Sequence, residues 1–272
     1  MRTKAPLFPR LTAPLATLMV LLSAAVAMAA DSGAPPSRSP RPWRPPTCPD
    51  GMRPLGGGRF TLADGSATVE VAGFCLDAIE VTAAGYAACV RANACSADDL
   101  VCGKAATYGA PGKANHPINC VSWIDADAFC QWQGKRLPTE AEWEWAAMGQ
   151  ARGSRYPWGE VSPGRRACWD GKGNSWGAGG RGGSCPVASH PAGDSPDGLH
   201  DLAGNVREWT GSGDWRERVI RGGSWGDSLD WFLASGFRGF NHPLERFELT
   251  GFRCAAEAEK PVVHRELAAS GR

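Results

Sequence analysis

Residues 134–146 read Gly134-Lys135-Arg136-Leu137-Pro138-Thr139-Glu140-Ala141-Glu142-Trp143-Glu144-Trp145-Ala146. Thr139 and Glu142 form a capping box: the hydroxyl can accept from the backbone N–H three residues on, and the carboxylate can reach back to the N–H of residue 139. The helix so opened carries Trp143, Ala146 and Ala147 and stops at Gly149. Upstream, Ser122 with Asp125 makes a similar box, and Trp123, Ala126, Phe129 and Cys130 form an apolar face that ends at Gly134. Thr82 can cap an earlier helix running through Val90, with Tyr86, Cys89 and Val90 on one side. Strands are expected over Thr68–Val71, Phe74–Leu76 and Arg218–Arg221. With 35 Gly, 21 Pro and 12 Trp, short elements joined by ordered loops, with indoles in the core, are expected. The class is α+β: strands and helices do not alternate, and no G-x-G-x-x-G follows a strand.

Outward from this centre, the chain begins with Arg2, Lys4 and Arg10, an apolar run from Leu11 to Val26, and Ala27-Met28-Ala29-Ala30. Residues 1–30 are therefore read as a secretory signal peptide cleaved after Ala29 or Ala30, since the run falls short of the ~20 residues that span a bilayer. No later segment is apolar enough to span, so a membrane-spanning protein is not expected. Residues 31–47, DSGAPPSRSPRPWRPPT, are a Pro-rich linker. Residues 257–272 form a polar, flexible tail. Residues 48–256 remain as one domain. All ten cysteines fall between Cys48 and Cys254, and an even count in an exported chain implies five disulfides and an oxidising compartment. No C-x-x-C pair is present to suggest zinc. A formal charge of +1 gives no basic face for nucleic acid.

The block at 134–146, followed by Tyr156-Pro157-Trp158-Gly159, resembles the signature of the formylglycine-generating (sulfatase-modifying factor) family. Further blocks follow in that family's order: Gly198-Leu199-His200-Asp201-Leu202-Ala203-Gly204-Asn205-Val206-Arg207-Glu208-Trp209-Thr210, Arg221-Gly222-Gly223-Ser224-Trp225 and Gly251-Phe252-Arg253-Cys254. Phe74-Cys75-Leu76-Asp77 with Glu80-Val81-Thr82, and His116 through Trp123, are similar to its opening elements. The resemblance implies a compact, irregular α+β domain distantly related to the C-type lectin fold. It also implies a structural calcium held by the side chains of Asp201 and Glu208 and the backbone oxygens of Gly204 and Val206, a ligand set suited to a hard cation.

The resemblance further implies a Cys130–Cys254 disulfide, and nearest-neighbour pairing of the rest gives Cys168–Cys185, Cys89–Cys95, Cys102–Cys120 and Cys48–Cys75. Cys168 stands where the oxidases offer an asparagine ligand to a further ion, so its bridge is expected to take over that ion's ordering role.

The resembled oxidases bind copper through a pair of thiolates just after the RGGSW-like block, and soft thiolates suit Cu(I). Here residues 225–236 contain no Cys, which argues against copper and against formylglycine chemistry. Asp227 and Asp230 in that segment read as solvated loop residues. Arg207 stands where the oxidases carry Trp; it can pair with an anionic ligand or hold Glu208 or a nearby carboxylate. Ser224 matches a serine near the family's active centre but has no evident base beside it. Arg207, Ser224, Asp227 and Asp230 are thus the cleft candidates. The five histidines, His116, His190, His200, His242 and His264, show no helical metal-binding spacing. The leading expectation is an exported, secreted or periplasmic module that binds a peptide, a glycan or a protein. The alternative is an oxidoreductase of the formylglycine-generating type, or another metal-dependent oxidation.

Overall fold

In a computed structural model, residues 47–150, 152–171 and 180–258 are described. The expected signal peptide, all of the expected linker but Thr47, and the tail beyond residue 258 lie outside the described residues. The elements are β1 (Met52–Leu55), β2 (Gly58–Thr61), β3 (Thr68–Val71), β4 (Phe74–Asp77), α1 (Ala83–Arg91), α2 (Trp123–Trp132), α3 (Glu140–Ala147), β5 (Arg207–Gly213), β6 (Arg218–Arg221), β7 (Arg238–Asn241), β8 (Thr250–Gly251) and β9 (Ala255–Glu257). They form the sheets β1-β4-β9, β2-β3 and β7-β6-β5-β8. Pairing is antiparallel except between β5 and β8. Helices segregated from antiparallel strands make this an α+β fold. Strand β9 carries Glu257 opposite Phe74, so ordered structure runs one residue past the expected domain end.

The helix starts follow from their caps. Thr82 Oγ1 accepts from Gly85 N at 3.0 Å. Both reciprocal boxes form: Ser122 N donates to Asp125 at 2.8 Å and Asp125 N to Ser122 Oγ at 3.2 Å, while Thr139 N donates to Glu142 at 2.8 Å and Glu142 N to Thr139 Oγ1 at 3.1 Å. Gly134 and Gly149 adopt φ +68° and +64° just past α2 and α3, the left-handed turn that ends a helix without a Cβ clash.

Trp143, Trp169 and Trp209 are fully buried. Phe129 stacks on Tyr86 at 5.8 Å and meets Phe252 edge-on at 5.4 Å, joining α1, α2 and the C-terminal strands. The expected apolar face of α3 understates its burial, because Glu140, Glu142 and Glu144 are buried as well. Arginines from elsewhere explain this: Arg221 at the end of β6 is buried against Glu140 and Glu144, Arg238 reaches Glu140, and Arg136 pairs with Glu142.

The cysteines pair as Cys48–Cys75, Cys89–Cys95, Cys102–Cys120, Cys130–Cys254 and Cys168–Cys185, the five pairs expected from the sequence. Such disulfide density belongs to chains that fold outside the reducing cytoplasm. Among the described residues no helix is long and apolar enough to cross a membrane.

Candidate functional site

Strand β6 leads into Gly222 and Gly223, whose φ values are +93° and +68°. A Cβ on Gly223 would lie 2.6 Å from the Phe232 carbonyl oxygen, so these glycines fold the following loop tightly onto the sheet. In that loop Ser224 is fully buried, and its N–H and hydroxyl both donate to Asp227 Oδ2, at 2.7 and 2.9 Å. The other oxygen of Asp227 accepts from the guanidinium of Arg207, at the start of β5. The Arg207 guanidinium lies 5.8 Å from the Phe232 ring centroid, and its Nε is buried with no hydrogen-bond partner.

This corrects the sequence expectation that Asp227 is solvated: it is buried, because three donors take the place of water around a charge that burial would otherwise penalise. Asp230 is not free either. It accepts from the Tyr156 hydroxyl at 3.3 Å and pairs with Arg155 at 3.5 Å. Burial, followed by the Asp230 charge, pushes the Tyr156 hydroxyl up to about 12. Arg207 holds a nearby carboxylate, Asp227 rather than Glu208. Beyond Asp227, the Trp231 and Phe232 rings stack with centroids 3.7 Å apart, and Phe237 meets Phe232 edge-on at 5.2 Å. All ten cysteines are in disulfides, so this loop meets no thiolate. The Ser224 hydroxyl is already committed to Asp227 and buried, which suits it to holding the loop rather than attacking a substrate.

A second polar cluster lies just ahead of β5, where the left-handed residues Asp201, Gly204 and Asn205 coil the chain. Glu208 is fully buried. It accepts from Trp143 Nε1 at 2.8 Å and, through both oxygens, from Arg253 at 2.8 Å each. Glu80 accepts from Asn205 Nδ2 at 2.5 Å and Val206 N at 3.1 Å, and Asp201 accepts from Ala188 N at 2.6 Å. Burial, then the charges of Asp201 and Glu208, holds the Glu80 carboxyl well above the usual carboxylate range. Burial likewise raises Asp201. Three carboxyls thus face one guanidinium. Glu80 and Arg253 were not singled out from the sequence as site residues, although both lie inside the recognised blocks, where a charge flanked by apolar residues is the available signal.

Residues 44–258 match the model of the Sulfatase-modifying factor enzyme 1-like domain. The chain belongs to that family. Among relatives of this sulfatase-modifying-factor domain, the inactive C-alpha-formylglycine-generating enzyme 2 of Bos taurus is 44% identical over 161 residues, covering 55% of this chain and 53% of that protein. The formylglycine-generating enzyme of Streptomyces coelicolor is 40% identical over 175 residues, covering 54% and 55%. The chain spans about half the length of the curated relatives it matches. The structure of PvdO from Pseudomonas aeruginosa superposes with a TM-score of 0.63 at 24% identity, over 76% of this chain and 94% of that one, a likeness of fold. Relatives named as inactive and as active lie at similar identity, so the site residues must separate the two.

Proposed function

We propose that this chain is an exported binding module on the sulfatase-modifying-factor scaffold, acting in the periplasm or outside the cell on a peptide, glycan or protein ligand, and that it is not a formylglycine oxidase. The loop after Ser224 carries the reading. Where the oxidases of this family use paired soft thiolates, the loop offers a carboxylate already held by Ser224 and Arg207 and a packed aromatic cluster. Hard oxygen donors do not replace thiolates at Cu(I), and disulfide sulfur is not a thiolate. The test is incubation of the purified protein with a cysteine-containing sulfatase-type peptide, with and without copper, read by mass spectrometry. No formylglycine product is expected under either condition; turnover would replace the reading with an oxidase using a different ligand set.

A structural calcium at Asp201, Gly204, Val206 and Glu208 fits the donor chemistry, since two carboxylates and two backbone oxygens suit a hard cation, and a divalent charge would offset the burial that raises the Asp201 carboxyl. Glu208 accepts three hydrogen bonds out of about four lone-pair positions, which leaves one for a metal. Chelation is expected to lower the melting temperature and calcium to restore it. An unchanged melting temperature would remove calcium from this loop.

A further inference from the structure

The β5–β6 hairpin closes at the other end of β5 from Arg207, roughly 20 Å along the strand. There Gly213, Asp214, Arg216, Glu217 and Phe240 line an open groove of about 490 Å³, a volume suited to a small ligand. We propose that this groove binds a pyranose unit of a neutral saccharide, a second site separate from the Ser224 loop and independent of how that loop is read.

The turn is built in advance. Asp214 N donates to Glu217 O at 2.8 Å, and Asp214 Oδ1 accepts from the backbone of Arg216 at 2.7 Å and of Glu217 at 3.1 Å. Gly213 has φ +108°, and a Cβ there would lie 2.2 Å from the Glu217 carbonyl oxygen, so only glycine closes the hairpin in this form. The Arg216 guanidinium rests 4.6 Å from the Trp215 ring centroid. Stacking fixes its plane while leaving its N–H edge available. A ligand would therefore immobilise few new rotors on binding.

The lining chooses among ligand classes. Its charged side chains are Asp214, Glu217 and Arg216, so an anionic ligand would meet two carboxylates for one guanidinium. A wholly apolar ligand would strip water from three charges. A protein interface of ordinary size needs about 800 Å² on each side, far more than this groove supplies. A pyranose answers the whole lining: its C–H face covers the Phe240 ring surface that Arg238, 4.8 Å from the centroid, leaves open, the residue being 48% exposed. Its neighbouring hydroxyls accept from Arg216 and donate to Glu217 and the unused oxygen of Asp214.

The experiment screens the full chain on a printed array of neutral, sulfated and sialylated oligosaccharides, then measures affinity for a retained neutral oligosaccharide by calorimetry. Phe240→Ala and Arg216→Ala are each expected to weaken binding tenfold or more. Val101→Ala, at an exposed apolar side chain outside the groove, should leave it unchanged. Phe240 and Arg216 are on the surface, and near-UV circular dichroism will show that the variants remain folded. Retention of acidic glycans alone, no retention of any neutral saccharide, or binding that survives both groove substitutions would each overturn the proposal.

Discussion

A buried carboxylate that accepts from three donors is fixed in place by them, and Asp227 is in this position: Ser224 supplies two donors and Arg207 the third. Asp227→Ala would orphan the buried Ser224 N–H and leave a largely buried guanidinium unpaired. Breaking such a pair costs about 3–5 kcal/mol, and urea denaturation is expected to return a loss of that order, with a smaller one for Asp227→Asn, which keeps an acceptor. A loss for the alanine variant below about 1 kcal/mol, the size of an ordinary hydrogen bond, would mean that the loop is held by its aromatic packing instead. The sequence could not show this anchoring. Asp227 sits among Gly226, Ser228 and Asp230, the composition of an exposed loop, and the side chain that makes its burial affordable comes from Arg207 on another element. Ser224 was legible as a motif position, but its partner was not.

At the level of elements, the helices were readable because a capping box is a local device: donor and acceptor sit three residues apart, as Thr139 and Glu142 do. The strands were less so. Strand β1 contains Pro54 and β5 contains Gly211 and Gly213, and each is held by pairing with other strands, β4 for β1 and both β6 and β8 for β5, rather than by its own pattern. The acidic side of α3 illustrates the same limit, since Glu140 and Glu144 look like solvent-facing residues until Arg221 is brought between them by β6. Two substitutions separate local from tertiary support of α3. Thr139→Ala removes the cap and is expected to cost about 1 kcal/mol. Arg221→Ala leaves the buried Glu144 without its ion partner and Glu140 with Arg238 alone, and is expected to cost about 3–5 kcal/mol. Equal losses in urea titrations would show that the ion cluster adds little beyond the cap.

Across the whole molecule, the order of the sequence blocks specified the family and hence the fold, while the arrangement of three separate sheets came only from pairings between distant segments. The disulfides bridge these two levels, and their contributions should differ with the length of chain they close. Cys130–Cys254 spans 124 residues and joins α2 to the segment between β8 and β9, whereas Cys89–Cys95 spans 6. If a bridge acts by restricting the unfolded chain, closing the long loop contributes about 5 kcal/mol and the short one about 2. Replacing each pair by alanine keeps either site apolar; Cys130, Cys254 and Cys89 are fully buried and Cys95 partly so, so lost packing adds to the chain-entropy difference in the same direction. The Cys130→Ala, Cys254→Ala variant is therefore expected to lose more than twice the unfolding free energy lost by Cys89→Ala, Cys95→Ala, measured by urea denaturation under oxidising conditions. Equal losses would place the effect of these bridges in the folded state, in the packing of sulfur against Tyr86, Phe129 and Phe252 in the shared core cluster, and not in the chain entropy of the unfolded protein.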